Sequence, residues 1–244
     1  MTLNIKSAAE LTNVSETYLI YGNPGTGKTT AIKYLPGKKL VIDIDKSSIV
    51  LKGEKNIDIV EVDTYKIWES WMDIVDYLLN TKTDYDVIVV DNVTELLRSI
   101  LTQLGREGRN NRVPEMAHYQ RVDFVIMDSF RAIKNIGKTV VFTAWETSDE
   151  WTTAGGQVFN RAIPDIRKTI LNNFLGLCDV VGRLIVTTNE EGEAKRGFIL
   201  QPAPDVYAKN RLDNRRGCLQ HELIIGGDAA EKTKTIPAGP SKQD

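Results

Sequence analysis

Short apolar runs rich in β-branched residues alternate along this chain with longer stretches whose apolar positions recur every three or four residues. The short runs lie at 17–21, 39–43 (running on into Ile44 and Asp45), 57–62, 87–91, 139–144, 180–187, 197–201 and 219–225, and each predicts a strand. Helical periodicity covers 30–35, stopped by Pro36-Gly37, then 65–80, 94–104, 118–136 and 163–177, with Pro164 placed in a first turn where proline is tolerated. The 65–80 stretch is the plainest: Trp68, Trp71, Met72, Val75, Leu78 and Leu79 share one face, and Lys66, Glu69, Asp73 and Asp76 the other. The run Val87-Ile88-Val89-Val90 is continuous rather than alternating, as in strands covered on both faces of a parallel sheet. Residues 105–113 break the pattern, and 145–156 read as a polar loop. Strands alternating with helices define an α/β fold with a mainly parallel central sheet flanked by helices. Residues 1–227 form the expected core, entered by a polar arm at 1–16, and 228–244, without apolar period, an expected disordered tail.

Composition changes this picture little. The 244 residues are 41% hydrophobic and 26% charged, with a formal net charge of −2, so any polyanion must be met by local patches. Two cysteines make no disulfide framework and suit a reducing cytoplasm, and no apolar run is long enough to span a membrane.

The chemistry concentrates at 22–30. Gly22, Asn23, Pro24, Gly25, Thr26, Gly27, Lys28, Thr29 and Thr30 fit the phosphate-binding P-loop, with a strand before and a helix after. A phosphate needs several backbone N–H groups converging on it, and only a loop with little side-chain bulk wraps that closely. In this pattern Lys28 reaches the β- and γ-phosphates of a nucleoside triphosphate, and the Thr29 hydroxyl serves Mg²⁺. Asp91, closing a later buried strand, is the expected second metal residue. Asn92 follows it, where many ATPases keep a glutamate, so the base must come from elsewhere; Asp45 is the first candidate and Asp43 the second. Glu146, ending another strand, is placed to sense the γ-phosphate. No Asn-Lys-x-Asp guanine signature is present.

The P-loop, the acid-tipped run Val41-Ile42-Asp43-Ile44-Asp45 and Val89-Val90-Asp91-Asn92 together resemble the RecA/RadA recombinase core, over residues 15–225. The resemblance implies a RecA-like P-loop NTPase core that uses ATP and Mg²⁺, with Asp45 at the place of the catalytic carboxylate, one methylene shorter than the family's Glu. It places a first DNA-binding loop at Arg106, Arg109 and Arg112. A second falls at Gly155 and Gly156, flanked by Trp151 and Arg161. Lys209-Asn210-Arg211-Leu212 is similar to the Lys-Asn-Arg-Phe motif of RadA, which implies that Lys209 and Arg211 act on a neighbouring subunit's nucleotide, in a ring or filament. A core without further domains is most like the RecA-like single-strand annealing proteins of bacteriophages. That implies single-stranded DNA as ligand, a single-strand-binding protein as companion and the host cytoplasm as location. Six basic residues against two acids over 195–216, and Tyr119, Trp145 and Trp151 near the proposed loops, suit stacked and charged contacts with unpaired DNA. Two other readings fit the P-loop: a nucleotide-gated helicase loader or replication accessory factor, and a small-molecule kinase whose lid carries Arg106, Arg109 and Arg112.

Overall fold

The computed structural model describes residues 7–8, 15–188 and 192–224. Most of the predicted arm and the whole predicted tail lie outside the described residues.

The strands are β1 (Thr17–Gly22), β2 (Lys39–Asp43), β3 (Ile57–Glu61), β4 (Val87–Asp91), β5 (Thr139–Thr152), β6 (Val158–Pro164), β7 (Val180–Thr188), β8 (Ala194–Ile199), β9 (Lys209–Asn210) and β10 (Gly217–Leu219). Their order is β10-β8-β7-β1-β5-β4-β2-β3, with β6 paired to β5 and β9 to β7. The central six, β7 to β3, run parallel, and β8, β9 and β10 are antiparallel additions. The helices are α1 (Lys28–Ala31), α2 (Ile67–Asn80), α3 (Val93–Glu107), α4 (Met116–Lys134) and α5 (Lys168–Leu177).

Side chains alternate across the sheet and so build two cores. Leu19, Tyr21, Ile42, Ile88, Val90 and Phe142 face the layer of α2, α3, α4 and α5. Tyr18, Ile20, Val41, Val89 and Val141 face α1 and the 3-10 turns on the other side. The thick core is centred on Phe130, Phe142 and Phe174, whose ring centroids are 4.8–5.1 Å apart, with Trp71 edge-on to Phe130 at 5.9 Å. Trp71, Val75 and Leu78 are buried as the helical stripe predicts, but Met72 and Leu79 lie at its margins and are exposed.

Several sequence expectations are corrected. The P-loop helix is one α-turn followed by a 3-10 turn (Ile32–Tyr34), not a helix over 30–35. The break after α3 begins at Gly108, so Arg106 sits in the helix's last turn. The expected strand over 219–225 ends at Leu219 in a 3-10 turn (Gln220–Glu222). The largest difference is at 145–177. Rather than a loop and a long helix, β5 runs on to Thr152 and returns as β6 in a two-stranded ribbon, register Thr152↔Val158 to Glu146↔Pro164. Thr147, Trp151 and Thr152 favour extended backbone, and Gly156, at φ 81°, closes the turn with its N–H on the Thr153 carbonyl. Pro164 ends an edge strand, where its missing N–H breaks no ladder, and α5 starts only at Lys168.

Candidate functional site

The site forms at the carboxyl ends of the parallel strands. β1, buried throughout, delivers the loop between β7 and β5. Gly22 passes so close to β7 that a Cβ would stand 2.6 Å from the Leu184 carbonyl oxygen. Gly27 turns the loop into α1 at φ 98°, in left-handed backbone that favours glycine. Two residues that the sequence reading missed hold the loop from outside: Arg196 Nε donates to the Thr26 carbonyl (3.1 Å) and Gln220 Nε2 to the Gly27 carbonyl (2.7 Å).

Lys28 is only 8% exposed, and its ammonium donates to the carbonyls of Gly22 (2.9 Å) and Asn23 (3.1 Å). Burial pulls its pKa down, against the pull of Asp91, Asp45 and Glu146. Thr29 Oγ1 donates to Asp91 Oδ2 at 2.7 Å and lies 2.9 Å from the Ser47 hydroxyl, which is itself 3.4 Å from Asp91. The other Asp91 oxygen accepts from Thr143, so all three hydroxyls face one carboxylate. Burial pushes that carboxyl up to about 6, and the charges of Asp45 and Asp43 add to the rise while the hydroxyls oppose it.

Asp43 accepts from the N–H groups of Ser47 and Ser48 and so fixes the following 3-10 turn (Ser48–Leu51). Asp45 accepts from Ser47 N–H (3.2 Å) and from Asn92 Nδ2 (2.5 Å). Glu146 is gripped by Arg183 through two hydrogen bonds (2.7 and 2.9 Å) and touches Asn23 Nδ2 at 3.4 Å, joining the P-loop to the strand on which the ribbon is built. Ser47, Thr143 and Arg183 carry no motif; the register that sets Val90 beside Phe142 brings Thr143 to Asp91. Hard oxygen donors at Thr29, Ser47 and Asp91 suit Mg²⁺. Among the described residues no three His, Cys, Asp or Glu side chains gather into a metal site. The donor set therefore fits an ion held largely by phosphate oxygens.

Lys209 and Arg211 sit elsewhere. β9 pairs with the first residues of β7, level with Tyr18 and Leu19 of β1, roughly 10–14 Å of strand before Gly22. Lys209 Nζ donates to the Leu175 and Cys178 carbonyls at the end of α5, and Arg211 to the Gly176 carbonyl, with Asp179 3.5 Å away. Neither reaches the site of its own chain.

The residues of the proposed DNA loops are split. Arg106 donates to the Tyr65 carbonyl and stacks 3.7 Å over its ring. Arg109 and Arg112 are exposed in the α3–α4 connection, with no ion pair among the described residues. Gly155 and Gly156 form the ribbon tip; Arg161 is held by Asp149 and stacks 4.3 Å over Trp151. Arg98 covers Trp145 and Arg167 covers Tyr119, so all three aromatics expected to meet bases already carry a guanidinium. With Glu146, Asp149 and Glu150 against Arg161, the ribbon carries net negative charge. Among the described residues no helix is long and apolar enough to cross a membrane.

A phosphate-binding loop between parallel strands, with Asp91 behind Thr29, defines a RecA-like P-loop core of the nucleotide-binding class. The chain belongs to the AAA domain family, whose model matches residues 15–212. Solved structures similar to it include the KaiC-like protein from the hyperthermophilic archaeon Pyrococcus horikoshii OT3 (14% identity, 75% of this chain and 78% of that one, TM-score 0.43). Another is the flagellar accessory protein FlaH from Methanocaldococcus jannaschii (11% identity, 83% of each chain, TM-score 0.47). No curated protein matches the chain.

Proposed function

We propose that this protein is a Mg²⁺-dependent ATPase that binds single-stranded DNA and promotes annealing or recombination, in the manner of bacteriophage annealing proteins. The observation that carries the nucleotide chemistry is the Thr29–Asp91 contact at 2.7 Å beneath the P-loop, with the Asp45 carboxylate fixed alongside.

Lys28 exchanges its two carbonyl partners for oxygens of the β- and γ-phosphates. Thr29 and Asp91 would hold Mg²⁺, and the ion would supply positive charge to the phosphate oxygens. Asp45 orients a water and takes its proton as the water oxygen bonds to the γ-phosphorus. The bond from that phosphorus to the bridging oxygen breaks, and its electron pair leaves with ADP. Glu146, tied to Asn23, registers the occupied loop. Lys209 and Arg211, remote from their own P-loop, serve a neighbouring copy in a ring or filament, where they face that copy's phosphates. The DNA contacts fall to Arg109 and Arg112, whose charges are free to meet phosphates.

ATP hydrolysis with and without single-stranded DNA, across a salt series, tests this reading. DNA stimulation that fades with salt, and a loss of about a hundredfold or more in Lys28→Ala, is the expected result. The acidic ribbon favours a second reading, a nucleotide-gated accessory factor or helicase loader that grips a protein. Tight ATP binding without turnover, unmoved by DNA, selects it over the first.

A further inference from the structure

Asn92 occupies a position where helix capping alone demands little. Its Oδ1 accepts the Glu95 N–H at 2.8 Å and caps α3, a task that Ser or Asp performs equally well. Its other end does something those residues cannot. Nδ2 donates to Asp45 Oδ2 at 2.5 Å, and Asn92 itself is fully buried. Asp45 accepts at its other oxygen from Ser47 N–H, so both of its oxygens are held by neutral N–H donors. Asp91 lies next to Asn92 in sequence, and Ser47 touches Asp43, Asp45 and Asp91, so three carboxylates gather at this place. A carboxylate at 92 would add a fourth negative charge to that group; a serine has a single short hydroxyl, which cannot cap α3 and reach Asp45 at once. An amide is the side chain that caps the helix and orients a carboxylate without adding charge.

We infer that Asn92 is a positioning residue: its amide holds the Asp45 carboxylate in the orientation that accepts the proton of the attacking water, and ties that orientation to the N-terminus of α3. This rests on the proposed role of Asp45 as base. A carboxylate free to rotate would spend much of its time turned away from the water, which lowers turnover while leaving the phosphate grip of the P-loop untouched.

Asn92→Ser keeps the cap and removes the donor. The expected result is kcat down about tenfold to a hundredfold, with the KM for ATP, ATP binding and thermal midpoint close to wild type. Asn92→Asp also keeps the cap, sets a like charge against Asp45, and loses turnover at least as far. In an Asp45→Asn background, Asn92→Ser adds no further loss, because the two act as one unit. Full kcat in Asn92→Ser beside an inactive Asp45→Asn overturns this inference and leaves the base assignment standing. Full kcat in Asp45→Asn overturns both. Full kcat in both Asn92→Ser and Asn92→Asp, the two variants that keep the cap, assigns the residue to capping alone.

Discussion

At Asp91, burial removes the water that would steady a negative charge, and the carboxyl is pushed up to about 6 from its ordinary value near 3.8. The sign follows from proton binding. Between those two values the folded chain holds a proton that the unfolded chain has lost, so the Asp91 contribution to stability falls as pH rises and is fully lost above about 6. Without Mg²⁺ or nucleotide, Asp91→Asn is therefore expected to be more stable than wild type at pH 7–8, and the gap to close near pH 4. Urea unfolding of both proteins across that range measures it, and the same variant loses Mg²⁺-dependent turnover. A gap that widens towards acid pH would refute the burial account. Gly27 gives a second expectation at this scale. Its left-handed backbone and the Gln220 amide 3.1 Å from an added Cβ make Gly27→Ala strained, so triphosphate affinity falls at least about tenfold while the sheet persists; equilibrium dialysis reads the loss. Lys28 and Thr29 were legible because the P-loop pattern fixes residue types at fixed intervals, and Asp91 because it closes a continuous apolar run. Ser47, Thr143, Arg183, Arg196 and Gln220 were not, because each arrives from a distant stretch through sheet register or a turn.

The ribbon of β5 and β6 is the element the sequence concealed. Gly155-Gly156 among Thr, Ser and Glu carries loop composition, and the cross-strand partners that make it a strand pair appear only when residues 146–152 and 158–164 are set side by side. The buried strands β1, β2 and β4 were legible because a continuous apolar run needs no partner to be recognised. Ser148 and Ala162 face each other in the ribbon, so a two-residue turn can join them and delete 149–161. The core residues Ile163 and Phe142 stay in place, and the expected result is unchanged ATP binding with a thermal midpoint shifted by only a few degrees. The ribbon's negative charge predicts that DNA binding survives this deletion, whereas Arg109→Ala/Arg112→Ala weakens it and flattens its salt dependence. Fluorescence anisotropy with a labelled oligonucleotide compares the two. DNA affinity that falls only in the ribbon deletion would move the interface to the tip.

Across the whole molecule, two cores share one sheet, and the thicker one closes on three phenylalanines drawn from α4, β5 and α5. Phe174 is fully buried among them, so Phe174→Ala costs about 3–5 kcal/mol, read by denaturant unfolding. The strand order also sets a timetable for biosynthesis. β1, which presents the P-loop, has its two neighbours at 139–152 and 180–188, while β2, β3 and β4, made next, pair among themselves. A nascent chain leaving the ribosome therefore has its phosphate loop in hand long before anything flanks it, and such distant pairings form late. Nucleotide cannot steady the emerging polypeptide until β7 has cleared the exit tunnel, so ATP acts on this protein as a seal on finished molecules rather than as a guide for those still being made.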